Sequence, residues 1–121
     1  MKEWNVGLMA HLGMRFVEVG PDKVIADLEL KENLTTVGGA VHGGTLMALA
    51  DTVGAAGTAA MGLRTATLES KTNFFAAAMA GKVRAESTAL HKGKRTHVWQ
   101  TRVTDENGRL LSLTIQTQMI L

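Results

Sequence analysis

Asp51 is the one charged residue between Gly43 and Leu63. Eleven of the twenty positions from Gly43 to Gly62 are Gly or Ala. A carboxylate in such surroundings faces a cavity or a partner rather than open water. Uncompensated burial is costly, and carboxylates so placed serve as bases or nucleophiles. A structural carboxylate that accepts hydrogen bonds from a loop fits this feature equally well. Upstream, His42-Gly43-Gly44 opens the same stretch. Gly43 and Gly44 would present unshielded N–H groups at a helix N-terminus, where the dipole also favours negative charge. Such a site can hold the oxygen of a polarised carbonyl. A plain Gly-rich helix start is the simpler account of that spacing.

Gly43 precedes Asp51 by eight positions, which is about 12 Å along a helix axis. No single carbonyl reaches both groups of one chain. If both act on one substrate they come from different subunits, with two copies of the helix packed antiparallel across a twofold axis.

Composition removes other chemistries. The 121 residues contain no Cys, which excludes disulfide frameworks, thiolate zinc sites and cysteine nucleophiles. The four His form no credible metal-ligand cluster with the acids, so neither a metal nor another cofactor is expected. His11 and His97 read as packing or surface residues. A net charge of +2 and five aromatic residues argue against nucleic acid. A membrane span could run only over Gly43–Leu63, and Asp51 at its middle opposes that. The N-terminus carries Glu3 and no apolar run suited to a signal peptide, so a cytoplasmic protein without membrane contact is expected.

Length and patterning give one domain over residues 1–121. Lys2 to Ala10 reads as a short helix with Trp4, Leu8 and Met9 available for packing. Gly13 to Val19 alternates weakly, and Gly20-Pro21-Asp22 marks a turn. Val24, Ala26, Leu28 and Leu30 face one way, with Asp27 and Glu29 on the other. Lys31 to Ala40 reads as loop. Gly44 to Met61 is the one long helix. Strands follow at about 64–76, 81–91, 95–105 and 109–120, punctuated by Gly81, Gly93 and the hairpin pair Asn107-Gly108. In the last strand Leu111, Leu113, Ile115, Thr117 and Met119 alternate with Ser112, Thr114, Gln116 and Gln118, which predicts a wet polar face. Met47, Met61, Phe74 and Phe75 are expected in the core. The sum is an α+β layer, an antiparallel sheet of five to six strands curled around one buried helix.

Val41-His42-Gly43-Gly44 followed by Leu49-Ala50-Asp51 resembles the HGG…(A/V)(D/E) signature of hotdog-fold acyl-CoA thioesterases. These include the phenylacetate-pathway, 4-hydroxybenzoyl-CoA and 1,4-dihydroxy-2-naphthoyl-CoA branches. Leu90-His91-Lys92-Gly93-Lys94-Arg95-Thr96, Val98-Trp99-Gln100 and Asp105 to Leu110 are similar to later strands of those branches. Glu69 to Phe75 matches more loosely. The resemblance spans about Val24 to Leu121. It implies hydrolysis of an acyl-CoA or aryl-CoA thioester by a homodimer or homotetramer. Asp51 would be nucleophile or general base, the Gly43 N–H with Gly44 would polarise the carbonyl, and His42 would orient the loop or contact the thioester.

Departures bear on substrate. Thr36 stands where many members carry Asn or Gln, six residues before the histidine; its hydroxyl can still donate and accept, so the resemblance implies it as a catalytic candidate that positions water with a shorter reach. Ala76-Ala77-Ala78 replaces a Pro-containing run, and Asp51 replaces the Glu of the hydroxybenzoyl and naphthoyl branches. His91, Lys92, Lys94 and Arg95 form a basic turn suited to the phosphates of coenzyme A, or to plain solvation. Glu69 shares its strand phase with Lys71 and Asn73, and reads first as a sheet-face pair and second as a pocket residue contributed by the partner chain. A non-hydrolytic acyl-CoA-binding module and a hydratase or dehydratase are the other classes open to this pattern.

Overall fold

A computed structural model describes residues 6–121; Trp4 and the start of the expected Lys2–Ala10 helix lie outside the described residues. Helix α1 spans Gly7–Leu12 and stops at Gly13, whose left-handed φ of 80° directs its N–H back to Met9 and Ala10. Strands β1 (Arg15–Val19) and β2 (Lys23–Glu29) form a hairpin across Gly20-Pro21-Asp22. After a 3₁₀ turn at Glu32–Leu34 comes the long helix α2, Gly43–Ala59. Strands β3 (Thr65–Phe74), β4 (Lys82–Lys92), β5 (Thr96–Thr104) and β6 (Leu110–Ile120) complete the chain. All pairings are antiparallel and the sheet order is β1-β2-β4-β5-β6-β3. The expected α+β sheet around one helix is what forms.

Small residues let α2 sit deep in the sheet's curve. Leu46, Leu49 and Val53 pack with Val24, Ala26, Leu28, Val83, Ala85, Val103 and Leu111. Two glycines admit large strand side chains: a Cβ on Gly57 would lie 2.1 Å from Trp99 Cη2, and one on Gly54 would lie 2.3 Å from Gln116 Oε1. The hairpin at Asn107-Gly108 forms as expected, with Asp105 Oδ1 accepting from the Asn107 and Arg109 N–H groups.

Three patterning expectations are corrected. The polar face of β6 is the buried one: Ser112, Thr114, Gln116 and Gln118 are inaccessible, whereas Ile115 and Met119 point outward. On that inner face Gln116 and Gln118 bond to each other and to α2 and β3, and Thr114 bonds to Thr72, while Ser112 Oγ and Gln116 Oε1 have no partner among the described residues. Asp27 is not solvated on the outer face but lies under Arg84, which holds it with two hydrogen bonds of 2.7 and 2.9 Å. That bidentate contact keeps the Asp27 carboxyl below its ordinary range. Phe74 and Phe75 are 50% and 58% exposed, and Met47 is exposed as well, because among the described residues no strand lies beyond the edge strand β3.

Candidate active site

The N-terminus of α2 offers one free amide, not two. His42 is the N-cap, and its Nδ1 accepts the Gly44 N–H at 2.7 Å. An accepting Nδ1 places the ring proton of the neutral imidazole on Nε2. The Thr45 N–H goes to the His42 carbonyl at 2.9 Å. Among the described residues no acceptor takes the Gly43 N–H. The Phe74 ring lies over it, so a Cβ at Gly43 would come within 3.2 Å of Phe74 Cζ.

Asp51 lies two turns further along the unbroken helix, so one chain does not bring it to Gly43. Its side chain is half-buried and has no cationic partner among the described residues. Thr67 of β3 donates its hydroxyl to Asp51 Oδ1 at 2.6 Å, and Gln116 Nε2 of β6 reaches the same oxygen at 3.3 Å. Asp51 borders two hollows. One, of about 370 Å³, is mostly apolar and lined by Met9, Phe16, Ala55 and Ala59. The other, of about 290 Å³, is lined by Met47, Ala48, Thr67 and Ser70. A carboxylate flanked by two largely apolar hollows can meet a substrate with a greasy acyl end.

The remaining expected residues lie elsewhere. Thr36 sits in the exposed loop before α2, where its Oγ1 accepts the Gly38 N–H at 3.2 Å. Glu69 pairs with Thr117 across a bulge and shares the outer sheet face with Lys71 and Asn73, away from Asp51. In the basic turn Lys92 is bound to Asp22 and to the Pro21 carbonyl. His91, Lys94 and Arg95 are exposed and make no ion pair among the described residues. His97 is buried beneath the turn, with Nδ1 2.8 Å from Thr58 Oγ1; that hydroxyl oxygen accepts from Trp99 Nε1 at 2.9 Å. Burial, with Lys92 and His91 nearby, lowers its pKa below the ordinary 6.5, against a backbone hydrogen bond to Gly93.

Thr67, Ser70, Gln116 and Gln118 were missed by the sequence reading. Two buried glutamines in a strand rich in Thr were the available signal, had the buried face of β6 been known. Among the described residues no three His, Asp or Glu group as metal ligands would, and no helix is long and apolar enough to cross a membrane.

Comparison with known proteins places these features in company. The family model described as Thioesterase superfamily matches residues 38–112. The 1,4-dihydroxy-2-naphthoyl-CoA hydrolase of Listeria monocytogenes is 34% identical over 111 residues, covering 89% of this chain and 90% of that protein. A protein of the same name from Escherichia coli is 32% identical over 117 residues, with coverage of 94% and 86%. The solved structure of a Mycobacterium tuberculosis protein superposes with a TM-score of 0.93 at 27% identity, over 96% of this chain and 97% of that one.

Proposed function

The chain belongs to the thioesterase superfamily, and on that footing we propose that it hydrolyses an acyl-CoA or aryl-CoA thioester to the free acid and coenzyme A. The observation that carries this reading is Asp51: a half-buried carboxylate without a counter-cation among the described residues, set between two largely apolar hollows. Asp51 attacks the thioester carbonyl or activates a water, and the carbon–sulfur bond breaks as coenzyme A leaves. The Gly43 N–H of the other protomer donates to the carbonyl oxygen as negative charge develops there. His42 holds the helix entrance and keeps its Nε2–H toward the same end. Lys94 and Arg95 meet the phosphates.

Two protomers are required because the helix separates Gly43 from Asp51. The unpaired edge of β3, flanked by exposed Phe74, Phe75 and Met79, supports a twofold pairing on that side. The outward Ile115 and Met119 give such dimers a second apolar face on which to form tetramers. The names of the two hydrolase relatives make aryl esters the first to try.

The test is thiol release from benzoyl, hydroxyphenylacetyl, naphthoyl and straight-chain CoA esters. Asp51→Asn is expected to lower kcat by about 10²–10⁴-fold with a much smaller change in KM. Mixing Asp51→Asn chains with Gly43→Pro chains is expected to restore one working site per hybrid dimer. Confirmed hybrids without activity would sink the shared site. Tight binding of CoA esters without thiol release would favour a binding module instead.

A further inference from the structure

A hydrogen-bonded chain runs under α2 from the C-terminal strand to the acid. Gln118 Nε2 donates to Thr65 Oγ1 at 3.0 Å, and Thr65 passes its own proton to the Met119 carbonyl at 2.8 Å. Gln118 Oε1 therefore faces the site as an acceptor, and Gln116 Nε2 fills it at 2.7 Å. The other hydrogen of that amide points to Asp51, 3.2 Å from its carbonyl and 3.3 Å from Oδ1. Thr67 has one hydroxyl proton and two acceptors in reach, Asp51 Oδ1 at 2.6 Å and Gln118 Oε1 at 2.8 Å. Gln118 Oε1 is already served, and a carboxylate is the stronger acceptor, so the proton goes to Asp51.

Both donors converge on Oδ1. Among the described residues none donates to Oδ2. We infer that Thr67 and the buried Gln116 are positioning residues, which clamp Asp51 by Oδ1 and leave Oδ2 as the oxygen that meets the thioester or its water. This rests on Asp51 being the catalytic carboxylate. It adds which oxygen reacts and what holds the other one still. Gln116 is fixed in turn by its burial against Gly54, where any larger residue would collide with it. The clamp joins groups from three elements, so the acid keeps its direction even though Thr67 lies on an exposed edge strand.

The experiment uses the full chain and benzoyl-CoA, or whichever CoA ester the parent turns over fastest. Thr67→Val, Thr67→Ser, Gln116→Met and Asp51→Asn are compared by kcat, KM and melting temperature. Thr67→Val and Gln116→Met are each expected to lower kcat by about ten- to a hundredfold, the worth of a hydrogen bond to a charged group, while KM stays within about twofold. Thr67→Ser, which keeps the hydroxyl, is expected to return kcat to within about threefold of the parent. Parent-like kcat in both Thr67→Val and Gln116→Met, with Asp51→Asn inactive, overturns the clamp and leaves the catalytic acid in place. Melting temperatures that move while kcat does not count against it in the same way. If Asp51→Asn turns over at the parent rate, the acid and the clamp fail together. Should Thr67→Val not fold, Gln116→Met decides the matter.

Discussion

His42 decides how many amides the front of α2 can offer. By taking the Gly44 N–H onto Nδ1 it stabilises the helix start and leaves the Gly43 N–H as the one without an acceptor among the described residues. Removing the cap with His42→Ala is expected to cost about 1 kcal/mol, and His42→Asn, which can cap, about half that or less, as read from thermal melts. His97 makes a different kind of statement. Its ring is held neutral by burial first and by the nearby Lys92 and His91 next. The folded chain thus binds fewer protons at this ring than the unfolded one. Its contribution is complete above the ordinary value of 6.5 and is lost as pH falls below it, until the folded ring itself protonates. The loss is at most about 1.4 kcal/mol per pH unit. His97→Gln is expected to flatten the fall in urea midpoint between about pH 7.5 and about pH 5.5. An equally steep fall in the variant would assign the effect to another group.

At the level of elements, the two interior glycines of α2 separate stability from activity. Gly57→Ala forces a methyl into Trp99, whose ring is fully buried and bonded to Thr58, so it has nowhere to go. The overpacking cost of about 1–3 kcal/mol outweighs the roughly 1 kcal/mol gained in helix propensity. Gly54→Ala instead drives the end of Gln116 from its buried place, at the cost of its bonds to Asp51 and Gln118. That variant is expected to lose kcat as well as melting temperature, whereas Gly57→Ala is expected to lose melting temperature with kcat kept. A Gly54→Ala chain with the parent kcat would contradict the distinction. The elements themselves were largely legible. The expected helix Gly44–Met61 is found at Gly43–Ala59, and the four later strands fall within two residues of their expected limits. Composition and turn residues act locally, which is why they could be read. The polarity of β6 was not legible for a physical reason: alternation says that two faces differ, not which one a helix will cover. Asp51 and Gly43 stood out as a lone charge and a glycine pair. Gln116 did not, being 65 residues from the acid it touches.

For the whole molecule the open side of β3 is the governing feature. Among the described residues its backbone pairs with β6 alone, and an edge of ten residues invites a second chain. Phe75 sits beside that edge and is mostly exposed, so Phe75→Asp costs the protomer little while opposing association. The variant is expected to sediment as a monomer and to release thiol at a small fraction of the parent rate. A monomer with the parent rate would show that one chain suffices.

The order of strands also sets an order in time. β3 is made before β4 and β5, but its sheet partner among the described residues is β6. Thr67 and the two glutamines therefore meet only once β4, β5 and β6 have all been made, and closing so long a loop is slow. Until then Asp51 is a carboxylate on a helix with no fixed direction. A chain cut before Gln116 keeps the apolar core cluster, whose last member is Leu111, yet leaves Asp51 without either glutamine behind it.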